Sequence, residues 1–126
     1  MNGALVGIGI DSVDIARFAS VLERRPTVAA RLFTAGERSY AQGQVNPVPS
    51  LAARFAVKEA TMKALRVGVG AVAWTEIEVI RPPLQSPELS VSGRAAALAA
   101  ALGVAGWHVS ITHTGTVASA VVAAVA

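Results

Sequence analysis

The sequence has no cysteine, few aromatic residues and few charged ones. Of its 126 residues, 15% are charged and 5% are aromatic. The missing cysteine excludes disulfides, thiolate metal ligands and a cysteine nucleophile. No aromatic residue is interleaved with a basic run, so we predict no nucleic-acid partner. The aromatic residues are Phe18, Phe33, Tyr40, Phe55, Trp74 and Trp107.

Targeting and membrane-spanning segments are also missing. The apolar run near the N-terminus has no basic residue before it and stops at Asp11, which argues against a signal peptide. The uncharged stretch 95–126 is interrupted by glycines and by His108 and His113, well short of the roughly 20 apolar residues that cross a bilayer. We therefore predict no membrane contact and a cytoplasmic protein.

The composition favours one domain that covers residues 1–126. An apolar content of 53% is ample for a core in a chain of this length. The net charge of +3 is unevenly distributed, because nine of the eleven basic residues but five of the eight acidic ones lie in residues 1–66. This half of the chain has the charge to attract an anionic partner, although ordinary surface charge is an alternative explanation.

Apolar periodicity and turn residues predict a series of short elements. A strand at 4–10, apolar on both faces, precedes a helix capped by Ser12 that runs to about residue 25. Thr34 and Glu37 have the spacing of a capping box, residues 42–49 are predicted as a loop, and Ser50 is predicted to cap a helix that Gly68 and Gly70 end. Strands at 76–81 and 88–92, a helix at 93–102 capped by Ser92, and a final hairpin of strands at 107–112 and 117–125 follow.

Two segments carry charged residues in the arrangement of a metal site. In residues 50–65, SLAARFAVKEATMKAL, Glu59 and Lys63 lie one helical turn apart among apolar neighbours, and Asp11 follows the first apolar strand. Two carboxylates without cysteine or paired histidines suit Mg²⁺, which substrate phosphates usually complete. The alternatives are a helix cap at Asp11 and a surface ion pair between Glu59 and Lys63.

The segment WHVSITHT places His108, Ser110 and Thr112 on one strand face. A histidine and two hydroxyls suit phosphate oxygens, although exposed polar strand faces are common. The glycine-containing segments VGIGID (residues 6–11) and RVGVGA (residues 66–71) match neither a P-loop nor a dinucleotide fingerprint. The usual nucleotide-binding signatures are therefore missing.

The segments GIGIDSVDIARF, LAARFAVKEATMKAL and WHVSITHT, in this order and spacing, resemble the three signatures of the bacterial holo-acyl-carrier-protein synthases. These are the small class of 4′-phosphopantetheinyl transferases. The resemblance implies an α+β fold with helices on a small sheet, and a homotrimer with active sites between subunits. It also implies transfer of phosphopantetheine from coenzyme A to a serine of apo-acyl carrier protein in fatty acid biosynthesis, with release of adenosine 3′,5′-bisphosphate.

The same resemblance assigns roles to matching positions. It implies that Asp11 and Glu59 hold Mg²⁺ and that Lys63 contacts phosphate or assists proton removal, which leaves Glu59, a metal-bound water and Lys63 as candidate bases. It assigns binding of the coenzyme A nucleotide to Arg54, His108 and Thr112. The resemblance also implies that three basic residues face the carrier protein, namely Arg17, Arg24 and Arg31.

The chain departs from the family pattern at residues 85–87, where Gln-Ser-Pro stands in place of a Gly-(Arg/Lys)-Pro turn. Any contact made by the basic residue of that turn is therefore missing. Two other functions stay open at this point. One is the same chemistry on a carrier domain of a larger synthase, and the other is a non-catalytic module that binds carrier proteins or nucleotides.

Overall fold

A computed structural model describes residues 3–126, so Met1 and Asn2 of the predicted domain lie outside the described residues. Helices pack on a small antiparallel sheet, which confirms the α+β fold class. A short 3₁₀ turn, Trp74–Glu76, precedes the strand that begins at Ile77. In chain order the elements are β1 (Leu5–Asp14), α1 (Ile15–Arg24), α2 (Val28–Leu32), α3 (Ala35–Gln42), α4 (Pro47–Ala64), β2 (Ile77–Ile80), β3 (Glu88–Val91), α5 (Gly93–Ala101), β4 (Gly106–His113) and β5 (Val117–Val125).

The main sheet has the strand order β1-β5-β4, with antiparallel neighbours. Helix α4 covers one face of it, which we call the inner face and which carries buried alanine, valine and glycine residues. The opposite, outer face is uncovered, and Ile8 and Ile10 on it are 59% and 63% exposed. The first strand is apolar on both faces, as predicted, but in the isolated chain only one of these faces is covered.

The backbones of β1 and α4 touch because β1 carries glycine where the helix crosses it. A Cβ atom on Gly7 would lie 2.0 Å from the carbonyl oxygen of Ala64, and one on Gly9 would lie 1.9 Å from that of Ala60. No side chain fits at such separations, since interiors are packed at van der Waals distance. The contact brings the β1 residue Asp11 alongside the side chains that α4 carries one turn apart.

The first strand runs further than predicted and changes the assignment of the α1 cap. Ser12 lies inside β1, where its hydroxyl is 2.8 Å from the hydroxyl of Ser119 on β5. The cap is Asp14, whose carboxylate accepts a 2.9 Å hydrogen bond from the Arg17 backbone N–H. The predictions of a cap at Ser12, and of one at Asp11 as the alternative to a site, are both wrong.

Helix α4 begins earlier than predicted. Asn46 caps it by accepting a hydrogen bond from the Val48 N–H at 3.1 Å, and Pro47 occupies the first turn, so the predicted loop ends at residue 46. Ser50 is not the cap but lies within the helix, where its hydroxyl accepts from Arg54 at 2.8 Å. The helix ends at Ala64, before the glycines predicted to end it, and Arg66 adopts a left-handed conformation with φ 60°.

The capping box at α3 is confirmed. The Glu37 N–H donates to the Thr34 hydroxyl at 3.2 Å, and the Thr34 N–H donates to the Glu37 carboxylate at 3.0 Å. Helix α2, between α1 and α3, is an element that the sequence did not predict, and it carries Arg31. Arg31 therefore lies on a different helix from Arg17 and Arg24.

Strands β2 and β3 form a separate antiparallel pair before α5. Ser92 occupies the predicted cap position of α5, but its side chain makes no capping hydrogen bond. The Glu76 carboxylate accepts from the Arg94 N–H at 2.8 Å instead, and this bond lowers the pKa of Glu76. None of the helices between residues 3 and 126 has both the length and the apolar character needed to cross a bilayer.

Candidate active site

Asp11 is the centre of a charged cluster between β1 and α4. Its carboxylate accepts a 2.9 Å hydrogen bond from the Lys63 ammonium, which also donates to the backbone carbonyl of Ile10 at 2.9 Å. The Asp11 side chain is 14% exposed and that of Lys63 is 55% exposed. The predicted surface pair of Glu59 with Lys63 is not formed, because Lys63 turns to β1 and pairs with Asp11.

Glu59 lies next to the Asp11 carboxylate. Partial burial, followed by a hydrogen bond and the negative charge of Asp11, raises the pKa of Glu59 from 4.5 to about 7, and only the Lys63 charge acts in the opposite direction. When no cation lies between two neighbouring carboxylates, the negative charge of one disfavours ionisation of the other. The structure thus brings together Asp11, Glu59 and Lys63, which come from segments almost fifty residues apart.

The carboxylate pair fits a hard divalent cation. Within residues 3–126 no third histidine or acidic side chain joins Asp11 and Glu59 in a metal-binding group. Two carboxylate donors with open positions are the set that Mg²⁺ uses when water and phosphate oxygens complete its shell. Burial and then the adjacent Asp11 carboxylate raise the pKa of Glu59, and a cation between the two carboxylates would offset the negative charge of Asp11.

Arg54 lies in a second cluster, near β4 instead of β1. Its guanidinium is 4% exposed, stacks 4.2 Å above the Tyr40 ring, and has a buried Nε atom without a hydrogen-bond partner. The cavity that it lines, about 450 Å³ in volume, also contains Arg81 and His113. Burial lowers the pKa of Arg54, but an arginine stays charged at neutral pH. We call Arg54, Arg81 and His113 the basic cluster.

His108 and Thr112 do not join the basic cluster. Both are exposed residues on the outer face of β4, where His108 lies level with Ala123 and Thr112 lies level with Ser119. Thr112, Ser119 and Ser12 form a row of hydroxyl groups across the outer face of the sheet. Their predicted role in nucleotide binding therefore requires a ligand that reaches the outer face, and it stays a prediction.

Arg81 and His113 are cluster residues that sequence reasoning missed. His113 belongs to the same strand as His108, but it lies on the alternate face, which the period of two places with Ile111 on the Arg54 side. The strand pattern contained that signal, because it separates His113 from the polar strip. Arg81 follows β2 and gave no signal in the sequence, since only the fold brings that strand end to Arg54.

Of the predicted carrier-protein arginines, Arg24 borders an apolar groove and Arg17 borders the hollow next to it. Arg24 and Arg25 line a groove of about 450 Å³ whose floor contains Phe18, Phe55 and Trp74. The rings of Phe18 and Phe55 stack with centroids 5.1 Å apart, and Phe55 is 5.1 Å from Trp74. Phe18 and Phe55 also border the hollow that contains Arg17 and Glu59, so the groove leads to the carboxylate pair. Arg31 lines neither of these spaces.

Lys58, next to Glu59 in the sequence, forms a fully buried ion pair with Glu37 at 2.8 Å. Lys58 also donates to the backbone carbonyls of Trp74 and Ile77, and Glu37 accepts from the Val79 N–H at 3.0 Å. Every polar atom of the pair therefore has a partner, which a buried pair needs in order to offset desolvation. The pair fixes α4 against α3 and β2, and sequence reasoning missed it.

The comparisons with known proteins agree on one family. The profile of the 4′-phosphopantetheinyl transferase superfamily matches residues 7–124. The chain is 49% identical over 120 residues to a holo-[acyl-carrier-protein] synthase of Streptomyces griseus, covering 95% of this chain and 98% of the relative. Two similar crystal structures are the enzymes of Helicobacter pylori with coenzyme A (29% identity, TM-score 0.81, 93% and 98% coverage) and of Bacillus anthracis with coenzyme A (3′,5′-ADP) (31% identity, TM-score 0.80, 97% coverage of both).

Proposed function

The chain belongs to the 4′-phosphopantetheinyl transferase superfamily, and from that premise we propose that it is a holo-[acyl-carrier-protein] synthase. It transfers phosphopantetheine from coenzyme A to a serine of apo-acyl carrier protein and releases adenosine 3′,5′-bisphosphate. The observation that carries this proposal is the cluster of Asp11, Glu59 and Lys63, in which two carboxylates and an ammonium lie together at the edge of an open groove. We place the reaction in the cytoplasm, with its two substrates.

Asp11 and Glu59 would hold Mg²⁺. When bound, the cation supplies a positive charge that neutralises the pyrophosphate and stabilises the departing bisphosphate. The chain itself sets the geometry, because the glycine contact between β1 and α4 fixes the spacing of the two carboxylates.

The reaction exchanges one phosphorus–oxygen bond for another. The serine hydroxyl of the carrier attacks the β-phosphorus, the bond to the bridging pyrophosphate oxygen breaks, and the bisphosphate leaves with the electron pair. The serine proton needs an acceptor. The hydrogen bond to Asp11 raises the pKa of Lys63, so Lys63 stays protonated and suits a phosphate contact. The Glu59 carboxylate is therefore the better base.

The basic cluster suits the 3′-phosphate of coenzyme A. Arg54 and Arg81 provide two permanent positive charges, and His113 adds a ring nitrogen that can donate a hydrogen bond. The unpartnered Nε of Arg54 supports an anion as the missing acceptor, since a buried donor without a partner is unfavourable. The cluster thus extends the predicted role of Arg54 to Arg81 and His113.

We also propose a homotrimer whose active sites lie between subunits. In one chain the carboxylate pair lies at β1 and the basic cluster lies at β4, and these strands are on opposite edges of the sheet. A single coenzyme A reaches both sets if a neighbouring subunit brings its β4 edge to the β1 edge of the first. The exposed Ile8 and Ile10 on the outer face supply apolar surface for such an assembly.

The carrier protein would dock on α1 and the groove beside it. Arg17, Arg24 and Arg25 are exposed at the mouth of the space that leads to Glu59, and together they suit an acidic helix. The apolar floor formed by Phe18, Phe55 and Trp74 suits an apolar side chain of that helix. Arg31, on α2, would add charge at a greater distance.

The decisive experiment is the intact mass of apo-acyl carrier protein after incubation with this protein, coenzyme A and Mg²⁺, with a parallel sample in EDTA. We expect a gain of about 340 Da, the mass of the phosphopantetheine arm, that is lost in EDTA. The Asp11→Asn variant serves as the matched control and should give no gain. If several carrier proteins gain no mass, the proposed activity is wrong, and binding of coenzyme A without turnover would indicate a binding module.

A further inference from the structure

The Lys63 ammonium binds the Asp11 carboxylate, which is the group that a metal ion would also bind. The ammonium is held by two contacts to β1, the Asp11 Oδ1 atom at 2.9 Å and the carbonyl oxygen of Ile10 at 2.9 Å. The Asp11 side chain is largely covered, so its oxygens have few other orientations. The protein itself therefore supplies a positive charge to the carboxylate pair.

The position of Lys63 is a consequence of the contact between β1 and α4. Ala60 lies against Gly9 and Ala64 lies against Gly7. Lys63 immediately precedes Ala64 in the sequence. Its side chain is 55% exposed, which leaves the ammonium room to leave Asp11 and turn towards solvent or a bound anion. Arg66, one turn further along, instead donates to the carbonyl of Val6 at 2.8 Å and does not contact Asp11.

A divalent cation and an ammonium compete for Asp11 for two physical reasons. Both bind the same carboxylate group, and the two positive charges repel each other across a few ångströms. An anion that attracts the ammonium removes both obstacles at once. A site of this kind takes up the cation and the anion together and has low affinity for the cation alone.

From these contacts, and resting on the proposed function, we propose that Lys63 is a built-in counter-ion for Asp11. It suppresses binding of the divalent cation until the pyrophosphate of coenzyme A draws its ammonium away. Lys63 thus couples the two ligands, so that each raises the affinity for the other, and loss of its charge strengthens metal binding while it weakens the response to coenzyme A.

The test is the affinity for Mn²⁺, used as a paramagnetic substitute for Mg²⁺, measured by electron paramagnetic resonance without coenzyme A. Lys63→Gln should lower the dissociation constant about tenfold relative to the unmodified protein, a change typical of coupled sites. Arg66→Gln is the matched control, because it removes a nearby positive charge that does not touch Asp11, and it should change the constant less than twofold or so. If Lys63→Gln binds Mn²⁺ no more tightly than the unmodified protein, the proposal is wrong.

A second titration, with saturating coenzyme A, separates this inference from the proposed function. Coenzyme A should tighten Mn²⁺ binding in the unmodified protein and in Arg66→Gln, and it should do so by a much smaller factor in Lys63→Gln. An equal gain in Lys63→Gln would overturn the coupling. The mass experiment tests turnover independently, so a protein that shows this coupling but modifies no carrier would refute the activity alone.

Discussion

At the scale of single residues, the chemistry of the site depends on charges that are close together and out of balance. Asp11 pairs with the Lys63 ammonium while the neighbouring Glu59 does not, and the second ion pair, Glu37 with Lys58, is entirely buried a short distance along the same helix. The buried pair has a complete set of hydrogen bonds and is closed to solvent, whereas Asp11 and Lys63 are partly exposed. The difference separates a charge pair that stabilises the fold from one that is available to a ligand.

The raised pKa of Glu59 predicts how stability depends on pH. An unfolded chain loses the Glu59 proton near pH 4.5 but the folded, metal-free protein keeps it to about pH 7, so stability is lost as pH rises through this interval. In Glu59→Gln this loss should disappear, because the amide does not titrate. Calorimetric unfolding temperatures in EDTA, from about pH 5 to about pH 8, would show it. Parallel curves for the two proteins would contradict the raised pKa.

At the scale of secondary structure elements, the close contact of β1 with α4 sets the spacing of the site. Gly9→Ala would place a methyl group 1.9 Å from the Ala60 carbonyl oxygen. This oxygen belongs to the helix backbone, which cannot move away without a large cost in free energy. We expect a loss of about 3 kcal/mol or more in unfolding free energy, at the upper end for overpacking. Gly68→Ala is the control, because its Cβ meets nothing within 4 Å. Denaturant titration of both proteins makes the comparison, and equal losses would contradict the role of the contact.

The α1 surface gives a prediction about the carrier protein. Arg24→Glu should raise the KM for the carrier, more at low salt than at high salt, and leave the KM for coenzyme A nearly unchanged. Arg94→Glu is the matched control, since Arg94 lies on α5 and lines neither the groove nor the basic cluster. Steady-state kinetics at two ionic strengths would measure the effect. An unchanged carrier KM in Arg24→Glu would remove this residue from the docking surface.

The sequence predicted elements well where the determining contacts are local. The capping box of Thr34 and Glu37 was found because both partners lie within one turn. The caps at Ser12 and Ser50 were wrong because distant or competing groups decide them: Ser12 pairs with Ser119, and Asn46 with Pro47 starts α4 one turn earlier. The partners of Lys58 come from two distant segments, Glu37 on α3 and residues 74–77, and no local pattern could have indicated them.

At the scale of the whole molecule, the α+β fold class followed from the family resemblance, while the distribution of the site did not follow from spacing. The resemblance assigned Asp11 and Glu59 to the metal and Arg54 to the nucleotide, and in the structure the Asp11 cluster lies at the β1 edge while Arg54 lines a cavity with His113 of β4. Two sets on opposite strand edges, together with an uncovered apolar face, favour an assembly in which chains share their sites.

The proposed shared site predicts complementation between inactive variants. Asp11→Asn and Arg54→Met should each be inactive as pure proteins. Coexpressed in equal amounts, they should recover about a quarter of the unmodified activity, since one site in four pairs two intact halves in a random cyclic trimer. Asp11→Asn with Glu59→Gln is the control, because both changes fall in the same half and should give no recovery. Inactivity of the first mixture would place the whole site within one chain.

The two tryptophans lie in different parts of the molecule, so their intrinsic fluorescence can report on each part separately. Trp74 stacks near Phe55 in the groove beside α1, and Trp107 lies on β4 at the far edge of the sheet. A Trp107→Phe protein would emit from Trp74 alone, and a Trp74→Phe protein would emit from β4 alone. Since the chain has no cysteine to label selectively, this intrinsic fluorescence offers two separate probes, one for carrier docking and one for events at the opposite strand edge.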